Sequence, residues 1–190
     1  MSLNAVSYGI LGIINAHPSS GYDIMNVLKP FREVKHSQIY RTLAKLEEEN
    51  YVVSEVVEQS DKPNKKVYSI TDKGKNKISD WFFQPSAPVA IRDEFVFKAF
   101  LIGLQDKREA MKIFEDRIKQ LEESTIILKE RLEILKEDCQ DVLTDFRTLE
   151  FGRYILLQQY LHQVYGNIRW AKWVIDLLEK EDVNYLNYPF

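Results

Sequence analysis

Apolar residues in the first part of the chain fall into short blocks at helical spacing, each block ended by a residue that cannot continue a helix. Residues 3–16 (LNAVSYGILGIINA) predict a mostly apolar helix that stops at His17-Pro18, because proline has no N–H to give to the helical ladder. Ser19-Ser20-Gly21 predicts a turn in which Ser19 or Ser20 acts as cap. Residues 22–28 then predict about two helical turns, closed by Pro30. Ser37 is expected to cap a third helix reaching about Asn50. One side of it carries Ile39, Leu43 and Leu46 (i, i+4, i+7), and the other Gln38, Arg41 and Lys45 (i, i+3, i+7). An apolar stripe is ordinary; a slim cationic one on a helix that follows a short helix suits entry into a groove.

The period then changes. Residues 51–58 (YVVSEVVE) and 66–71 (KVYSIT) are rich in β-branched residues and predict a hairpin with a polar, proline-containing tip between them. Thr71 and Asp72 open a fourth helix through Lys73 to Phe83, and Gln84-Pro85-Ser86-Ala87-Pro88 marks a boundary. Beyond it the chain is expected to be all helix. A short aromatic helix over 93–103 holds Phe95, Phe97 and Phe100. A long heptad run follows through Met111, Phe114, Ile118, Leu121, Thr125, Leu128, Leu132, Leu135, Cys139 and Val142, and a second through Leu157, Leu161, Val164, Ile168, Ala171, Ile175 and Leu178. Steps alternating 3 and 4 predict long helices side by side, with their partners in the same chain or in another.

Composition changes this picture in one respect. The 190 residues carry a net charge of −3, which argues against a general nucleic-acid binder. The charge is uneven, however. Residues 29–45 hold Lys29, Arg32, Lys35, Arg41 and Lys45 against Glu33 alone, and residues 61–77 hold six lysines against Asp61 and Asp72. Local basic windows on an acidic chain permit a specific DNA footprint. No apolar run is long enough for a membrane span, and no signal-peptide pattern opens the chain, so a cytoplasmic location is expected.

Catalysis has little to stand on. Cys139 lies on a heptad seam as a small hydrophobe, His17, His36 and His162 are scattered without ligand spacing, and there is no phosphate-binding glycine loop. No enzyme activity, cofactor or metal is expected.

Four segments carry a family resemblance: Gly9-Ile10-Leu11-Gly12; Ser20-Gly21-Tyr22-Asp23; Ser37-Gln38-Ile39-Tyr40-Arg41-Thr42-Leu43 with Leu46-Glu47; and Tyr68-Ser69-Ile70-Thr71-Asp72-Lys73-Gly74. Together they resemble the PadR family of bacterial transcription regulators, in particular its longer members with an extended helical C-terminal domain. The resemblance implies a mostly α fold: an N-terminal winged helix-turn-helix with a two-stranded wing over 1–83, which binds DNA, and a long-helix dimerisation and effector domain over 89–190. It implies a sequence-specific DNA-binding regulator, a repressor acting as a homodimer and released by a small aromatic effector. The family's tyrosines match Tyr22, Tyr40 and Tyr68, which it associates with DNA binding or with packing the reading head. The wing departs from the family, with Asp61-Lys62-Pro63-Asn64-Lys65-Lys66 in place of a Gly-rich, Arg-containing tip.

The residues expected at DNA are therefore Tyr22, Ser37, Gln38, Tyr40, Arg41, Lys45, Lys62, Lys65, Lys66 and Tyr68. Gln38 suits adenine and Arg41 guanine, while Lys45, Lys62, Lys65 and Lys66 suit phosphates. Dimerisation is expected through Ile118, Leu121, Leu128, Leu132, Leu161, Val164, Ile168 and Ile175. An effector is expected near Trp81, Phe95, Phe151 and Tyr154. The rival reading is a winged-helix adaptor that binds proteins and not DNA.

Overall fold

The computed structural model describes residues 3–28, 35–58, 64–86 and 93–180. The chain divides into two compact units, Met1–Ala87 and Pro88–Phe190.

In the first unit, α1 (Ala5–Ala16) starts at Asn4, whose side chain accepts the Ser7 N–H, and ends where the His17 N–H reaches Ile13 O. The segment expected to be a plain turn is more structured. Ser19–Ser20 form a two-residue strand, β1, and α2 (Gly21–Leu28) follows at once. α3 (His36–Glu48), strands β2 (Val52–Val57) and β3 (Lys65–Ile70), and α4 (Asp72–Phe82) complete the unit. β1 pairs antiparallel with β3 (Ser19 opposite Tyr68), and β3 pairs with β2 from Val52–Ile70 to Val57–Lys65, giving the order β1-β3-β2. The wing hairpin is thus two strands of a three-stranded sheet. Two residues are too few for any periodic signal, so β1 was invisible until β3 was there to pair with it.

The core of this unit is one cluster: Ile10, Leu11 and Ile14 of α1, Ile24 of α2, Ile39, Leu43 and Leu46 of α3, and Val52 and Tyr68 of the sheet, with Ile78 of α4 packed against it. Removing such side chains from water stabilises by about 1.5–3 kcal/mol each. α3 stops at a left-handed Asn50 (φ 59°), with Asn50 N–H bonded to Glu47 O and Tyr51 N–H to Leu46 O. Thr71 caps α4 by accepting the Gly74 N–H, and its hydroxyl lies within bonding distance of the carbonyls of Asn50 and Tyr51. A Cβ at Gly74 would lie 2.3 Å from Tyr51 O, so only glycine lets α4 approach the end of α3 this closely. The Tyr-x-x-Thr-x-x-Gly spacing is therefore architectural: a buried ring, a cap and a close approach.

The second unit contains α5 (Glu94–Phe100), a 3-10 turn at Ile102–Leu104, α6 (Lys107–Cys139), a second such turn at Gln140–Val142, and α7 (Leu149–Lys180). α6 and α7 form an antiparallel pair, with Lys107 Nζ donating to Glu179 O at 3.3 Å. Phe114, Leu121, Thr125, Leu132 and Leu135 of α6 and Leu157, Leu161, Ile168 and Ala171 of α7 are buried. The heptad seam, whose partners were expected in the same chain or in another, has one of them in the same chain. Leu121, Leu132, Leu161 and Ile168 are closed inside one chain, because an antiparallel helix partner is already present there. Ile118, Leu128, Val164 and Ile175 are half-buried.

Candidate nucleic-acid interface

α3 follows from its two stripes. Ile39, Leu43 and Leu46 are fully buried, and that anchoring turns Gln38, Arg41 and Lys45 outward. Ser37 is not the cap. The helix opens two residues earlier, after Lys35, whose carbonyl accepts the N–H groups of Gln38 and Ile39, so Ser37 stands exposed in the first turn. A polar cleft of about 460 Å³ runs beside this turn, lined by Ser37, Gln38, Arg41, Thr42 and Lys45 together with Lys35 and the N-terminal end of α1. Five of the residues expected at DNA are thus on one helix, four of them along one cleft.

Tyr22 is 60% exposed and Tyr40 41%. Tyr40 is held in place from two sides. Its ring lies over Gly21, where an added Cβ would meet Tyr40 Cζ at 2.7 Å, and it packs against His36, ring centres 4.5 Å apart and planes tilted by 36°. Tyr68 differs: it is 4% exposed, in the core. Its ring packs the reading head, one of the two roles the family resemblance implies for it.

The wing lysines are engaged within the protein. Lys65 pairs with Asp23 at 2.9 Å, and Lys66 with Glu47 at 2.8 Å while lying 5.2 Å from the centre of the Tyr68 ring. Asp23 also accepts the Ser20 N–H at 3.0 Å and its hydroxyl at 2.8 Å, and the Asp23 N–H donates back to that hydroxyl, a reciprocal cap that ties β1 to α2. Burial raises the Asp23 pKa, but Lys65 and the Ser20 donors outweigh it and the net shift is downward. Glu47 is lowered by Lys66 and then by Ser54, whose hydroxyl donates to it. Lys62 lies outside the described residues. Sequence reasoning missed both carboxylates; the Ser-Gly-Tyr-Asp and Leu-Glu segments contained them, without a sign of which lysines they would meet.

Of the four aromatic residues expected at an effector, Trp81 belongs to the N-terminal unit and the other three to the C-terminal unit, where Phe95 is far along the helix pair from Phe151 and Tyr154. Trp81 stacks on Tyr8 within the N-terminal unit, rings 4.5 Å apart and 6° from parallel. Phe95 packs edge-on against Phe114 (5.3 Å) and Trp170 (6.1 Å), with Arg117 over its face at 5.0 Å and paired to Asp93. Phe151 and Tyr154 stand at the start of α7, and 16 residues from Tyr154 to Trp170 span about 24 Å of helix. Among the described residues no group of His, Cys, Asp and Glu could hold a metal ion, and no helix is long and apolar enough to cross a membrane.

Comparison with known proteins accounts for both units. Residues 10–80 match the transcriptional regulator PadR-like family, and residues 91–179 match the C-terminal region of the virulence activator alpha family. The negative transcriptional regulator PadR of Bacillus subtilis (strain 168) is 29% identical over 184 residues, 94% of this chain and all of that protein. Its crystal structure with operator DNA superposes with a TM-score of 0.82 at 29% identity, covering 92% of this chain and 99% of that one. Its structure with p-coumaric acid gives 0.77 at 27% identity, covering 93% and 100%. The winged head with its cationic α3 belongs, over residues 10–80, to the PadR-like family of transcriptional regulators, and the chain is similar to PadR along nearly its whole length.

Proposed function

We propose that this protein is a sequence-specific DNA-binding repressor without enzymatic activity, acting as a cytoplasmic homodimer and released by a small aromatic effector. The head over 1–83 contacts DNA, and the helical region over 89–190 joins subunits and receives the effector. The observation that carries this reading is the polar stripe of exposed Gln38 and Arg41 and half-buried Lys45, opposite the buried Ile39, Leu43 and Leu46. α3 enters the major groove by its N-terminal half, with Gln38 at adenine and Arg41 at guanine, each discriminating by about 1–3 kcal/mol. Tyr22, Ser37, Tyr40 and Lys45 flank these and set the register on phosphate and sugar, while Lys62, Lys65 and Lys66 bring the wing to the backbone.

One recognition helix reads too few base pairs for useful discrimination, so two subunits meet half-sites about 34–36 Å apart. Ile126, Ile127 and Ile134 are exposed on α6, apolar surface that a second subunit would cover. The repressor sense and the effector are supported by the relative named a negative regulator and by its p-coumaric acid complex. Of the residues expected at an effector, Phe95 borders a cleft of about 340 Å³, lined by Lys98, Ile113, Arg117 and Gln120 together with the carboxylates of Asp93, Glu94 and Asp116.

A mobility-shift titration against DNA upstream of the gene tests the reading. Neutralising six to ten phosphates predicts an affinity loss of about 10³–10⁵ between roughly 50 and 200 mM salt. Binding that ignores salt, or that survives Arg41→Ala undiminished, ends the assignment.

A further inference from the structure

Glu47 uses both oxygens of its carboxylate on the wing. One accepts the Ser54 hydroxyl from β2, and the other lies 2.8 Å from Lys66 Nζ on β3. Ser54 is opposite Tyr68 in the sheet, and Lys66 is two residues before Tyr68, so the two donors share one face as diagonal neighbours. Glu47 itself is in the last turn of α3, six residues beyond Arg41. A single side chain therefore ties both strands of the hairpin to the helix that carries the reading residues. The Asp23–Lys65 pair makes a second tie, from α2 to the first residue of β3.

An ion pair this open to solvent adds little to fold stability. A carboxylate beside a DNA-facing lysine also repels phosphate. What the contact does supply is direction: it fixes the angle between hairpin and helix, and it keeps the Lys66 stem across the Tyr68 ring. The pKa of Glu47 is displaced downward by Lys66 and Ser54, so the carboxylate remains charged at neutral pH.

We propose that Glu47 is a positioning residue for DNA recognition, holding Ser54 and Lys66 so that wing and α3 meet the duplex as one rigid surface and the operator is told apart from other DNA. This rests on the DNA-binding reading above. Lys66 is then a tether first and a phosphate contact second, which a count of wing lysines would not show.

The test compares the full-length protein with Glu47→Gln, Ser54→Ala, Lys66→Met and the Glu47→Gln/Lys66→Met pair. Fluorescence anisotropy reads affinity for the upstream duplex and for a scrambled duplex of equal length across salt. Amide hydrogen exchange reads the hairpin without DNA. In Glu47→Gln, upstream-duplex affinity should fall about tenfold while scrambled-duplex affinity holds or rises, and the salt slope should steepen by about one phosphate as Lys66 is freed. Exchange over 52–57 and 65–70 should quicken about fivefold with α1 unchanged, and the double variant should exchange no faster than Glu47→Gln, since both break one contact. Ser54→Ala should move the same way by less, and it decides the matter if Glu47→Gln does not fold.

Unchanged exchange with an unchanged affinity ratio overturns the proposal. Equal tightening on both duplexes overturns it too, and makes Glu47 a repelling charge only. A wild-type chain that binds both duplexes alike overturns the DNA reading and the specificity role with it; faster hairpin exchange in Glu47→Gln would then leave the tie as architecture alone.

Discussion

In the N-terminal unit Ile10, Leu11, Ile24, Ile39, Leu43 and Val52 converge from helices and sheet on a single cluster, while in the C-terminal unit Phe114, Leu121, Leu132, Leu157 and Leu161 lie in file along one helix pair. The geometry accounts for the contrast. Elements that cross at angles enclose a volume, whereas two parallel rods share a line and leave their far sides bare. Ile126 and Ile134 of α6 are 58% and 57% exposed, and Phe97, Phe100 and Leu104 stand exposed around α5. The head closes its own core; the helical unit has apolar surface left over, of the kind that soluble proteins cover with a partner. The surplus is not wholly on one side, since Phe82 and Phe83 at the end of α4 are exposed as well.

The largest perturbation should come from the closed core. Leu43→Ala is expected to cost about 2–5 kcal/mol, because the crossing elements cannot collapse onto the void. Denaturant unfolding followed by hydrogen exchange should place the whole loss in α1–α4. A loss spread equally into α6 and α7 would show that the two units unfold as one.

Arg41→Ala sits next in size and probes the surface of that same core. Operator affinity should fall by about 1–3 kcal/mol with a relaxed preference at one base pair. The unfolding midpoint should stay within about 0.5 kcal/mol, since the side chain is exposed. An unfolding loss as large as the binding loss would mean that the stripe supports the fold.

Dilution sharpens the contrast from the other side. Each tenfold dilution costs a paired state about 1.4 kcal/mol. Exchange in α6 and α7 should quicken as concentration drops, while amides of α1 hold. A mass of one chain by light scattering at micromolar concentration, with exchange independent of dilution, would show that the bare helix faces need no second subunit.

Acid should separate the units least, but in a defined direction. Glu47 and Asp23 have folded pKa values below their ordinary 4.5 and 3.8. The stability they contribute is complete above those ordinary values and is lost as pH falls through the lower folded ones. Both pairs are partly exposed, so less than about 1 kcal/mol is at stake for each. Urea midpoints of the head measured from roughly pH 5 down to 2 should fall less steeply in Glu47→Gln than in the wild type.

Much of the molecule was legible because its signals are local. The i, i+4, i+7 run of Ile39, Leu43 and Leu46 gave α3 its buried side and therefore its outward one, and the β-branched residues from Val52 to Val57 and in 66–71 gave the hairpin. Ser37 read as a cap because serine favours that place, but Lys35 O had already taken the first N–H groups of the helix. The family likeness left Tyr68 either at DNA or in the packing of the head, and its place on the central strand turns it inward. The effector residues were gathered by composition, and composition carries no distance.

By itself the sequence determined which elements form, which face of each is apolar, and that α3 would present Gln38 and Arg41, because helical and strand periods are properties of neighbouring residues. Tertiary structure alone decided that the heptad seam closes within one chain, that Ser19–Ser20 becomes a third strand, and that Lys65 and Lys66 meet Asp23 and Glu47. Those pairings join residues 19 to 72 positions apart, and no periodicity along the chain records which distant partner a given face will find.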